Sequence, residues 1–227
     1  MYWIFNDKGN IHTESQGDPI GMEIQAQMFG FNTNDEINNM TFCNYVLINR
    51  GSLTLEETYF AQWVDTDLGN PNDDFVGCDV GRGLGYSYNG TNFDGSSGSG
   101  PGYGTQPPAI GVDFFEGPYQ DPDGINNLYG IGEGQALNGL GYRNEDDTFP
   151  DSIIDNERFG MRRFIYHQNA DGPQATRGPQ IAVEYYQMMR GIWRNGVPMS
   201  FGGTGFEPIP LNILEADFMF PGNSDPL

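Results

Sequence analysis

Residues 19–31 alternate between apolar and polar positions. Ile20, Met22, Ile24, Ala26 and Met28 fall on one side, and Glu23, Gln25 and Gln27 on the other. A period of two is the mark of a half-buried β-strand. The run stops at Asn32-Thr33-Asn34-Asp35, whose short polar side chains favour a turn. A second strand is predicted over 40–49, closed by Arg50-Gly51-Ser52. A third is predicted over 58–64, where Tyr59, Ala61 and Trp63 oppose Phe60, Gln62 and Val64. Further strands are expected at 75–78, 84–88, 109–115 and 158–167. Short strands separated by turn chemistry predict a mainly β fold, an antiparallel β-sandwich of jelly-roll-like type.

One segment changes period. From Pro179, a first-turn proline, Ile181, Tyr185, Met188, Met189 and Ile192 recur at helical spacing, and Asn195-Gly196 supplies a stop. This predicts one amphipathic helix with its Met and aromatic stripe in the core. The rest is expected as long Asp/Asn/Gly-rich loops. Residues 94–108 read as a flexible Gly/Ser/Pro loop within a single sandwich-type domain spanning 1–227. Residues 117–150 read as a long functional or ion-stabilised loop region.

Composition narrows the function classes. With 33 Gly and 15 Pro in 227 residues, the chain is not expected to be mainly helical. Asp and Glu number 31 against 10 Lys and Arg, a formal net charge of −21. Such a chain repels phosphate, which excludes nucleic acid as a partner and disfavours an anionic membrane surface. No run of 18 apolar residues occurs, so no membrane insertion is expected. High charge can signal disorder. Here 14% of residues are aromatic, and aromatic side chains supply enough buried area for a core.

The acids are not evenly spread. Asp65-Thr66-Asp67-Leu68-Gly69-Asn70-Pro71-Asn72-Asp73-Asp74 leads through Phe75-Val76-Gly77-Cys78 to Asp79. Like charges this dense are unfavourable unless a cation neutralises them, and Ca²⁺ takes six to eight oxygens in irregular loops. Asp65, Asp67, Asp73 and Asp74 are the preferred candidate ligands, with Asp79 behind them. The alternative is a solvated Asx-turn loop. The spacing is not an EF-hand: the glycine falls at the fifth place and Val76 where the bidentate Glu should stand. Asp121-Pro122-Asp123-Gly124 is a second, weaker candidate, through Asp121 and Asp123; an ordinary turn reads it equally well.

Other chemistry is thin. Cys43 and Cys78 each fall in a predicted strand, and a bridge or two buried thiols are both compatible with that. His12 and His167 belong to no catalytic motif, so no catalytic residue is assigned and an enzyme is not the favoured reading. Asn39-Met40-Thr41 and Asn89-Gly90-Thr91 match the short N-glycosylation acceptor. Tyr86, Tyr88, Tyr103 and Tyr119 could stack on sugars, although packing is the commoner use of such rings.

Three strings together resemble a known segment: Trp63-Val64-Asp65-Thr66-Asp67-Leu68-Gly69, Asp73-Asp74-Phe75-Val76-Gly77-Cys78-Asp79 and Leu84-Gly85-Tyr86-Ser87-Tyr88-Asn89-Gly90. They are similar to large secreted proteins of Bacteroidetes exported by the type IX secretion system. Phe159-Gly160-Met161-Arg162-Arg163-Phe164 and Phe218-Met219-Phe220-Pro221-Gly222 are similar to further segments of the same proteins. The resemblance implies an extracellular or outer-surface location and a chain that is part of something longer. It carries over no catalytic residue. The expectation is a calcium-stabilised structural or adhesive module, with a surface glycan or another cell-surface protein as partner. A carbohydrate-binding module and an acidic glycoside hydrolase domain are the alternatives.

Overall fold

A computed structural model describes residues 1–7, 9–98, 100–119, 124, 154–155, 158–168, 172–202, 204–206 and 214–223. Asp121 and Asp123 lie outside the described residues. Among the described residues the fold is mainly β, with two three-stranded antiparallel sheets and one α-helix. The chain divides into two compact units, one of Met1–Phe60 with Pro179–Tyr185 and one of Ala61–Gly178 with Tyr186–Leu227.

The first unit holds β1 (Tyr2–Asn6), β2 (Met22–Gly30) and β3 (Thr41–Asn49) in the order β1-β2-β3. The alternation of residues 19–31 becomes β2, and Ala26 lies across from both Trp3 and Tyr45. Its methyl group is wholly buried, where only a small side chain fits between the larger neighbours. The Asp7 carboxylate accepts the Ile20 and Met22 amides at 2.8 and 2.6 Å and fixes where β2 begins. Phe29, Phe31 and Phe42 gather at the other end of β2, with centroids 5.5–5.7 Å apart.

The second unit holds β4 (Asp74–Asp79), β5 (Leu84–Asn89) and β6 (Ala109–Asp113), in the order β4-β5-β6. Two apolar clusters form its core. Ala175, Trp193, Met199, Ala216 and Met219 make one, and Cys78, Val80, Met161 and Phe218 the other, with Phe164 against both. The Trp193 indole N–H donates to the Gly205 carbonyl at 2.6 Å, which satisfies its one polar atom inside the core.

Two predicted strands are not strands. Residues 58–64 alternate but pair with nothing in a ladder; just before them Glu57 takes φ +49°, which breaks an extended run. Residues 158–167 carry only single bridges, Tyr119 to Arg158 and Phe164 to Phe218. The helix α1 spans Ala182–Met189, shorter than its apolar stripe. Gly191, at φ +69°, turns the chain left-handed and ends it. Of the stripe only Met188 is buried, while Ile181 and Tyr185 are exposed. Cys43 is exposed and Cys78 buried, and neither is in a disulfide.

Candidate functional site

β4 begins at Asp74 and β5 ends at Asn89, and the two are cross-strand partners. Partners share a face. Asp74, Val76 and Cys78 therefore lie on the same side as Asn89 and Ser87, the side turned inward, where Ser87 and Asn89 are 3% and 8% exposed. Just before β4 the chain folds over this corner. The Leu68 amide donates to Asp74 Oδ2 at 3.0 Å, and the Gly90 amide donates to the Asp73 carbonyl at 2.7 Å.

A second carboxylate pins the same loop from the other side. Asp94 is 1% exposed and accepts the Asn70 amide at 3.1 Å and the Tyr103 amide at 2.6 Å. Its backbone exchanges hydrogen bonds with Gly104, at 2.8 and 3.0 Å, and closes the segment 94–104. Gly69, at φ +77°, faces it so closely that an added Cβ would fall 2.0 Å from Asp94 Oδ2. Left-handed backbone and lack of room both require glycine there.

The corner is electrostatically loaded. Burial pushes the Asp74 carboxyl above its ordinary range, the Leu68 amide pulls it back, and the carboxylates of Asp73, Asp94 and Asp67 push it up again. Four buried oxygens here have no hydrogen-bond partner among the described residues: Oδ1 of Asp73, of Asp74 and of Asn89, and the hydroxyl of Ser87. The Asn89 amide group donates to the Thr91 carbonyl at 2.8 Å, which leaves Oδ1 as the free acceptor. Burial of such atoms without a partner is costly. Among the described residues, no three His, Cys, Asp or Glu side chains converge closely enough to form a metal centre by themselves. Any ion here would draw on Asn89, backbone carbonyls and water as well, as calcium commonly does.

The structure thus brings Asp67, Asp73 and Asp74 into one neighbourhood and adds Asp94 and Asn89, which sequence reasoning missed. Asp65 acts elsewhere, on His167. That imidazole stacks on Trp63, with centroids 4.2 Å apart and planes at 28°. Burial lowers its pKa, and the Asp65 charge works against the shift. Asp79 projects from the opposite face of β4 from Asp74, accepts the Arg82 amide at 3.1 Å and pairs with the Arg82 guanidinium. Asn89, buried and bonded to Thr91, is not an accessible glycan acceptor, whereas Asn39 is exposed in a 3-10 turn. No helix among the described residues is long and apolar enough to cross a membrane.

No protein-family model matches the chain, and neither a curated protein nor a solved structure matches it.

Proposed function

We propose that this chain is a calcium-braced structural or adhesive module of a secreted surface protein, its sheets belonging to an antiparallel sandwich. The observation that carries this reading is the set of donor-less buried oxygens on Asp73, Asp74 and Asn89. These three oxygens only accept, and the Ser87 hydroxyl beside them has a single hydrogen to give, which favours a cation at the corner. The neighbouring carboxylates of Asp67 and Asp94 raise the local negative potential further. With few charged ligands the site belongs to the weak class, of roughly 10⁻⁴ to 10⁻³ M, that extracellular modules use. Occupancy then requires the millimolar calcium found outside cells. The resemblance to exported Bacteroidetes proteins supports the same location. For the sandwich, the support is that the second sheet turns one side inward, with Val76 and Cys78 on it beside the polar Asp74, Ser87 and Asn89.

Calcium bound only by the folded chain stabilises it, by about 2.7 kcal/mol at a hundred times the dissociation constant. Melting of the chelator-treated protein should therefore move upward with added calcium and saturate. A melting curve indifferent to both EDTA and calcium would sink the proposal.

A further inference from the structure

The outward face of the second sheet carries a different chemistry, and it does not depend on the calcium corner. Phe75 and Tyr88 share one cross-strand row. In the next row Tyr86 stands between Gly77 and Gly111, and in the third Asp79 and Asp113 flank Leu84. Phe75 and Tyr88 are 57% and 41% exposed. Tyr86 lies down on the sheet: a Cβ on Gly77 would come within 2.6–2.8 Å of its phenol. Only a glycine leaves the room into which the ring leans. Tyr88 tilts 43° to Tyr86 at 6.0 Å, and Phe75 stands at 84° to Tyr88 at 6.1 Å. The result is a stepped aromatic surface with polar groups at one end.

That end holds acceptors and a donor. Asp79 is already neutralised by Arg82, whose side chain is largely exposed. The Asp113 carboxylate is exposed and has no ion-pair partner among the described residues. The face therefore carries little net charge of its own, inside a chain of −21. A polyanion is repelled by the whole molecule, and the face itself offers a polycation only a single open carboxylate.

We propose that the face built from Phe75, Tyr86 and Tyr88, with Asp79, Arg82 and Asp113 at its end, binds a single chain of a neutral glycan. A pyranose ring has the matching anisotropy. Its C–H face packs on aromatic carbon, and its rim of hydroxyls donates to carboxylates and accepts from a guanidinium. The stepped rings suit a flexible soluble chain rather than a flat crystalline surface.

The test is titration calorimetry of the whole chain with soluble hexasaccharides of β-glucan, xylan and mannan. A heparin hexasaccharide and hexa-arginine serve as charge controls. At least one neutral glycan should bind with a Kd below about 1 mM. Tyr88→Ala should weaken it about tenfold, at unchanged melting temperature. Asp113→Asn should weaken it less, and salt should leave it unaltered. The proposal is overturned by silence of all neutral glycans at millimolar concentration. Equal affinity in Tyr88→Ala and Phe75→Ala overturns it as well, and so does salt-sensitive binding of hexa-arginine alone. Because the calcium corner lies on the opposite face of β4, chelation should not change the outcome.

Discussion

At the scale of single residues, Asp74 is pulled in two directions. It holds the loop by accepting the Leu68 amide, yet burial and three neighbouring carboxylates disfavour its charge. Its folded pKa is raised, so the folded chain binds the proton more readily than the unfolded chain. Stability without metal should then fall as pH rises from the ordinary carboxylate range, about 3.9, through the raised folded value. Calcium should flatten that fall, since the ion opposes the same charge. Asp74→Asn separates the two roles. It should raise the melting temperature of the metal-free protein at pH values where Asp74 is ionised and shrink the calcium-dependent gain. Thermal melts at several pH values, with EDTA and with calcium, read both effects. Lower metal-free stability in the Asn variant would contradict the assignment. Asp74 was legible as a ligand candidate because it sits in a dense acidic string. Asp94 was not, because it is one acid at the head of a Gly/Ser-rich run that reads as a linker. Its role depends on Gly69 and Tyr103, one 25 residues before it and the other across a closed loop.

At the scale of elements, period two was informative only where a partner strand existed. β2 and β3 follow the alternation of 20–28 and the apolar run of 40–49 because each residue finds a ladder neighbour. Residues 58–64 have the same pattern and no ladder. Alternation reports a two-faced segment, while a strand also needs hydrogen bonds from elsewhere in the chain. The core around Trp193 was illegible for a related reason. Its members, Ala175, Met199, Ala216 and Met219, stand outside the named strands and α1 and so follow no period. Such a core depends on single anchors. Trp193→Phe keeps most of the buried ring but removes the donor to the Gly205 carbonyl. The expected cost is about 1–3 kcal/mol, or roughly 2–4 °C of melting temperature per kcal/mol at this size. Trp193→Ala should cost more, about 3–5 kcal/mol. Denaturant titration measures both, and a neutral Trp193→Ala would show that this cluster does not hold the second unit together.

At the scale of the whole molecule, 31 acids against 10 bases set a background that any ion reduces. Self-repulsion destabilises a compact chain, and ordinary salt screens it over about 8 Å at physiological strength. Calcium must therefore be separated from charge screening, and the two have different dose responses. Screening by NaCl acts on every exposed acid and should raise the melting temperature gradually, without a plateau in the millimolar range. A site at Asp73, Asp74 and Asn89 should add a saturable step when CaCl₂ replaces NaCl at constant ionic strength. Mg²⁺ should reproduce little of that step. It is smaller, demands octahedral geometry and gives up water reluctantly, whereas these oxygens come from an irregular corner. The asymmetry should vanish in Asp74→Asn, where the general charge has changed by only one unit. If matched CaCl₂, MgCl₂ and NaCl curves coincide, the acidic loops are a solvated coat and the donor-less oxygens hold no ion.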